Sequence, residues 1–366
     1  MTDPGTGGAP PPPGWQPPPP PPPAYLPGSA APAPYATGTA PQTPPPWTPQ
    51  AGMLGAAHKP GAMPLRPLGL GDMYDAAFRV IRFNPKATVG SSVLVAAVTM
   101  SLPILVTAIL TATVDVTLDE TGSPDNASLL GFAGSFGSLG VGLVLFVFGS
   151  LLVTGMVSHV VAAAAVGRRL SLGEAWAATR GKRWRLVGLA GLLWLGFLAA
   201  LAVYVVAWVV VAMNAPTELV VVWALVTVPA YVAFMAWFWI RVYYLPVPVL
   251  MLEDVGVFGA VARGFALTRR QFWRTLGIAL LTGLVVGVAS NVLAFPISLV
   301  GQVGSIAVGG RYALLVLIIS QALAQVVSAA FATPFTSAVT SLQYLDQRMR
   351  KEAYDVELMR QAGLTG

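Results

Sequence analysis

The sequence predicts an all-α integral membrane protein. Six transmembrane helices are expected, in three repeats of an interfacial amphipathic helix plus a helical hairpin, behind a disordered Pro-rich N-terminal tail. Three observations lead there. The 366 residues are 55% hydrophobic and only 10% charged, with a mean hydropathy of +0.69, whereas a soluble domain carries roughly 25% charged residues. Six apolar stretches are long enough to cross roughly 30 Å of hydrocarbon. A short motif also recurs ahead of each pair of those stretches.

Residues 1–66 read as the tail. They lack a basic start followed by an apolar core, so no secretory signal peptide is expected. Pro10 to Pro13, Pro17 to Pro23 and Pro44 to Pro46 alternate with Gly, Ala, Ser and Thr. Proline resists helices and central strands, and the apolar content is too sparse to bury, so disorder with polyproline II character follows. Trp15, Tyr25, Tyr35 and Trp47 punctuate this stretch and suggest a cytoplasmic protein partner with a proline-binding groove. The plainer reading is a solvated tail. His58 and Lys59, at its end, have no metal-ligand companions.

The membrane domain is expected over 67–345. Span one runs from Ala87 to about Leu110, and span two lies within Leu129 to Val166, where the Gly-rich start, Gly131 to Gly142, reads as a loop or re-entrant turn. Spans three and four run from Leu186 to Met213 and from Leu219 to Arg241. Span five begins near Thr275 and ends around Val300; span six covers Tyr312 to Ala338 and continues toward Tyr344. Pro246, Pro248, Pro296 and Pro334 mark span ends or kinks, because each removes a backbone donor. The last stretch, 346–366, reads as a solvated cytoplasmic helix and tail, with the solvated character starting at Gln343.

Charge sets the orientation, since Lys and Arg flanking the spans remain cytoplasmic. Of the 21 Lys and Arg residues, only Arg311 falls on the far side, which instead carries Asp115, Asp119, Glu120, Asp125 and Glu218. Both termini are therefore expected in the cytoplasm. The Ala, Gly, Val, Pro and Arg bias fits a GC-rich bacterial genome, so the expected location is the bacterial cell membrane. The net charge of +6 is thereby assigned to topology and membrane lipids, and no nucleic-acid partner is expected. The Asn126-Ala-Ser triplet reads as chance.

The repeats start near residues 68, 170 and 255. Without a gap, Gly69, Phe78, Arg82, Thr88 and Gly90 align with Gly256, Phe265, Arg269, Thr275 and Gly277. Leu170-Ser-Leu-Gly-Glu-Ala-Trp176 matches Leu68-Gly-Leu-Gly-Asp-Met-Tyr74, and Trp184-Arg-Leu-Val-Gly188 matches Trp273-Arg-Thr-Leu-Gly277. Met73, Ala77, Phe78 and Ile81 form an apolar face opposite Asp72, Asp75, Arg79 and Arg82, suiting a helix in the headgroup plane. Asp72 and Glu174 sit where the helix dipole favours an acid. Lys86, Trp184, Arg185, Trp273 and Arg274 then read as interfacial anchors.

These motifs, above all Leu68-x-Leu-Gly-Asp-x-x-Asp-Ala-Ala-Phe-Arg79 and Arg269-x-x-Phe-Trp-Arg-Thr-Leu-Gly277, resemble the actinobacterial membrane proteins labelled glycerophosphoryl diester phosphodiesterase membrane domain. The resemblance spans roughly Arg66 to Gln347. Such proteins often carry a Pro-rich tail. The label comes from fusion of these domains to a soluble phosphodiesterase barrel, and it transfers no catalytic residue. Neither βα alternation, a His-Glu pair nor a carboxylate cluster is readable here.

Chemistry needs two or three convergent polar groups. Within the predicted spans the ionisable residues are His159 and Arg241, the latter able to snorkel toward Glu253 or Asp254. A lone intramembrane His is a functional candidate by default, but satisfied packing is the plainer role. Gly283 and Gly287 are expected to let helices approach, and Asn291, Gln321 and Gln325 to form a hydrogen-bonded seam between spans five and six. With no catalytic, cofactor or metal constellation, the expected function is a non-catalytic membrane scaffold or lipid- or partner-binding module. The alternatives are a transporter of a lipid-like or small amphipathic substrate, and a membrane auxiliary of a glycerophosphodiester phosphodiesterase.

Overall fold

A computed structural model describes residues 61–113 and 126–363, all helical apart from short connections. The Pro-rich tail through residue 60 and the acidic loop of Asp115, Asp119, Glu120 and Asp125 lie outside the described residues. In chain order the helices are α1 (Leu70–Phe83), α2 (Pro85–Thr113), α3 (Asn126–Ala165), α4 (Leu172–Ala178), α5 (Arg183–Asn214) and α6 (Thr217–Phe238). A π turn, Trp239–Tyr243, leads into α7 (Pro246–Leu252), followed by α8 (Val257–Thr268), α9 (Phe272–Val308), α10 (Ala313–Glu352) and α11 (Tyr354–Gln361). Six stretches are long and apolar enough to cross a membrane: α2, α3, α5, α6 through α7, α9 and α10. The chain is a multi-pass membrane protein, and each pair of spans follows a short helix.

The bundle is built on α10, which packs against α9, α2, α3 and α1. From Pro334 to Gln347 every residue but Thr336 is buried. This corrects the expectation of a solvated helix from Gln343. The charges there point inward to partners, so a polar sequence is packed as a core. By contrast α6 buries no residue, and the apolar side chains of α5 and α6, such as Val203, Leu225 and Val232, face outward. That is the surface hydrocarbon covers.

The Gly-rich start of α3 is helix, not loop. A Cβ on Gly134 would lie 2.8 Å from Leu110, one on Gly142 would lie 2.9 Å from Pro103, and one on Gly149 would collide with Val95. These glycines share the face that meets α2, and small residues at such a contact let two apolar helices approach closely. The expected approach at Gly283 and Gly287 is absent, since a Cβ at either meets nothing within 4 Å. Helices α9 and α10 come together instead at Gly301, against Ser320.

The folded chain also begins earlier than residue 67. Met63, Leu65 and Leu68 are buried, and Ala62 N–H donates to the Ala164 carbonyl at 2.8 Å. In α1 the buried face is Met73, Ala76, Ala77 and Val80. Phe78 is half exposed and rests its ring on Phe335, centroids 4.9 Å apart.

Candidate lipid-binding groove

A cavity of about 760 Å³ lies between α2, α3, α4 and α5. Its walls include Val95, Phe148, Leu152 and Val187, with Trp176 of α4 across one end. Ser91 and Thr99 bring hydroxyls to the lining, and both bond back to their own helix: Ser91 to the Ala87 and Thr88 carbonyls, Thr99 to those of Val95 and Ala96. With both hydroxyls turned back, the wall offers a ligand mostly apolar contact area, the Trp176 indole N–H being its remaining polar side-chain group. Such a surface suits hydrocarbon.

Helix α4 holds this end through its cap. The Ser171 hydroxyl accepts from Glu174 N–H at 3.2 Å, and the Glu174 carboxylate accepts from Ser171 N–H at 2.7 Å, a reciprocal capping box. Hydrogen bonds from the Ser171 backbone and hydroxyl hold the Glu174 carboxyl below the usual carboxylate range. On the next turn Arg183 lies over the Trp176 ring at 3.7 Å and donates to the Thr179 hydroxyl at 3.0 Å. A cation thus sits at the rim of an apolar groove.

Around the same end, two carboxylates organise the charged residues. Asp346, with no solvent exposure, accepts from Leu68 N–H at 2.7 Å and from Arg350 at 3.0 Å, and pairs with Arg274. Both arginines also donate to the Leu68 carbonyl. Glu253 accepts from Arg263 at 3.0 Å and from the Tyr344 hydroxyl at 2.9 Å, while its backbone carbonyl accepts from Lys182 at 2.7 Å. Burial opposes the charge of Arg263, but Glu253 and Glu352 outweigh it and keep the guanidinium above its ordinary range. Segments some 280 residues apart in sequence, such as Leu68 and Arg350, are joined here.

The expected seam is dispersed. Asn291 and Gln325 line a smaller cavity of about 240 Å³ with Ser290 and Ser328, but Asn291 bonds to its own helix at the Gly287 carbonyl. At this depth α9 and α10 are joined by the Ser328 hydroxyl, which donates to the Ser290 carbonyl at 3.2 Å; nearer the charged end the Gln347 amide donates to the Thr275 hydroxyl at 3.2 Å. Gln321 does not line that cavity. His159 lies six residues from the end of α3, roughly 9 Å along the axis, whereas Asn291 lies mid-way along α9; its buried Nε2 finds no partner among the described residues. The stitched seam is between α3 and α10, where Thr154 meets Ser337 at 2.8 Å and Ser158 meets Ser341 at 3.0 Å. Two hydroxyls at i, i+4 on each helix were its readable signal.

The anchors divide. Trp184 and Trp273 are 86% and 79% exposed, Lys86 is exposed, and Arg185 reaches Asp254 at 3.7 Å. Arg274 turns inward to Asp346 instead. Arg241 does not snorkel to Glu253 or Asp254; it stacks on Phe265 at 4.9 Å.

Comparison with known proteins bears on this half of the bundle. Residues 217–361 match the family model described as the membrane domain of glycerophosphoryl diester phosphodiesterase. The match runs from the first residue of α6 to the last of α11. It is narrower than the resemblance read from Arg66 to Gln347, and the groove's helices α2 to α5 lie outside it. No curated protein and no solved structure matches the chain.

Proposed function

We propose that this chain is a non-catalytic, membrane-embedded lipid-binding module whose groove between α2, α3, α4 and α5 seats the acyl chain of a phospholipid. The observation that carries this reading is the groove wall, apolar along its length because its two hydroxyls are consumed within α2, with the Trp176 indole at its end. Hydrocarbon is the solvent of the flanking spans, so the occupant with access is a lipid tail, and the Arg183–Trp176 stack at the rim suits its headgroup. The basic end of the bundle faces the cytoplasm by the positive-inside rule. The three short-helix-plus-hairpin units are copies of one repeat.

The test is native mass spectrometry of the protein released from nanodiscs. A Cβ on Gly173 meets nothing within 4 Å and the residue lines the groove, so Gly173→Trp fills the space from a tolerant position. Wild type should retain a phospholipid that Gly173→Trp loses, with equal membrane insertion. Equal retention by both proteins removes the groove from the proposal.

The match over 217–361 supports a second reading, a membrane auxiliary of a glycerophosphodiester phosphodiesterase. Phosphodiesterase activity that co-purifies with the tagged chain and washes off in its absence would support it; none above background would oppose it.

A further inference from the structure

Away from the groove, a second cavity of about 450 Å³ opens where the π turn, the start of α9 and the end of α10 converge. Four arginines line it, Arg241, Arg270, Arg274 and Arg350. Among the described residues the one carboxylate that touches them is Asp346, which is fully buried and pairs with Arg274 and Arg350 but not with Arg241 or Arg270, so positive charge dominates the opening. Neither Arg241 nor Arg270 pairs with a carboxylate among the described residues, and the buried Nε of Arg241 has no partner there. The first turn of α9 enters the same space without a side-chain cap, its N–H groups and dipole adding to the field.

The backbone supplies a separate observation. Arg270 has φ of 67°, one of two described non-glycine residues in the left-handed region. Glycine would occupy that position without steric cost. Keeping an arginine there is unfavourable for folding and keeps a fourth arginine in the cavity lining, the pattern expected where strain serves binding. Trp273, largely exposed, stands beside the opening at the start of a spanning helix, which places the cavity at headgroup depth.

We infer that this cavity binds a phosphate group, held by the Arg241 and Arg270 guanidiniums and the first turn of α9, with Arg274 and Arg350 fixed behind them by Asp346. The phosphate of an anionic phospholipid and that of a soluble phosphate ester share the chemistry, because planar guanidiniums recognise phosphate oxygens in pairs. The lipid is the favoured source, given the depth of the site and the ready use of basic interhelical pockets for anionic headgroups.

The experiment uses the full chain in nanodiscs of phosphatidylcholine containing a minor fraction of phosphatidylglycerol. Native mass spectrometry reads which lipid stays bound, with and without sn-glycerol 3-phosphate as competitor. Wild type should retain phosphatidylglycerol over phosphatidylcholine. Arg270→Gly and Arg241→Gln should each weaken that preference at least tenfold, and Arg270→Gly should melt at the same temperature as wild type or higher. Displacement by millimolar glycerol phosphate assigns the site to soluble esters; resistance assigns it to lipid. Undiminished preference in Arg270→Gly, or no anion bound from either source, overturns the inference. Gly173→Trp should keep the anion preference, so failure of the groove and of this site are separable.

Discussion

Asp346 shows how one side chain can decide the packing of several segments. Its carboxylate has no solvent exposure and satisfies Leu68 N–H, Arg274 and Arg350 together. Asp346→Ala would leave that donor and two arginines without their acceptor, a change that typically costs several kcal/mol. Each arginine keeps about a third of its side-chain exposure, so a loss of about 3 kcal/mol is expected, at the low end for a broken buried pair. Asp346→Asn retains an acceptor for Leu68 N–H and should fall in between. Thermal denaturation in detergent ranks the three proteins, and equal melting of wild type and Asp346→Ala would contradict the role. None of this was legible in the sequence, where Asp346, Arg348 and Arg350 read as a solvated helix. Hydropathy registers that a residue is charged, but not that its partner arrives from residue 68 or 274. The amides misled in the opposite sense: Asn291, Gln321 and Gln325 looked like helix glue, while the α3–α10 seam fell to serines and threonines, which bridge only where backbones are already close. An amide does bridge α9 and α10, that of Gln347 at the charged end.

At the scale of the helix, glycine and capping decide more than hydropathy. Six spans were readable because about 20 apolar residues per crossing is a strong signal; α2 and α5 exceed their expected limits by a few residues, while α6 through α7, α9 and α10 end at Leu252, Val308 and Glu352, well past the expected Arg241, Val300 and Ala338. The glycines were not readable, because packing and looping use the same letter. A direct contrast follows. Gly149→Leu drives a side chain into Val95 and should destabilise by about 1–3 kcal/mol, the range for overpacking. Gly283→Ala and Gly287→Ala meet open space and should be neutral or gain up to about 1 kcal/mol from helix propensity. Melting temperatures of the three variants test this, and a destabilised Gly283→Ala would restore the approach expected there. Helix α4 makes a prediction on pH. The folded-state pKa of Glu174 lies below that of an ordinary glutamate, first because of the Ser171 backbone bond, so its contribution is present above the ordinary value and lost as pH falls through the lower folded value. Hydrogen-exchange protection in α4, measured against the intrinsic rate at each pH, should fall as pH drops below the ordinary glutamate range, and Ser171→Ala, at a cost of about 1 kcal/mol, should produce that fraying at neutral pH. Protection unchanged in both conditions would mean α4 is held by its contacts and not by its cap.

Across the whole molecule, the first described residues, the start of α9 and the end of α10 meet at a single knot. Met63, Leu65 and Leu68 are buried, and the Leu68 peptide supplies both a donor to Asp346 and an acceptor to Arg274 and Arg350. A truncation series should therefore show a threshold. Removing residues 1–60 takes away nothing in these contacts and should leave the melting temperature unchanged. Removing residues 1–68 also withdraws three buried apolar side chains, each worth about 1.5–3 kcal/mol of burial, and leaves Asp346 and its arginines short of the Leu68 backbone. The expected loss is several kcal/mol, concentrated where α9 and α10 meet at the charged end, while the Gly-lined contact of α2 with α3 persists. Size-exclusion melting of the two truncated proteins, with hydrogen exchange at residues 272–276 and 340–350, reads both parts. A gradual decline spread evenly through residues 1–68 would mean that the stabilising contacts begin before Gly61, and a stable second truncation would mean that Arg274 and Arg350 hold Asp346 without Leu68.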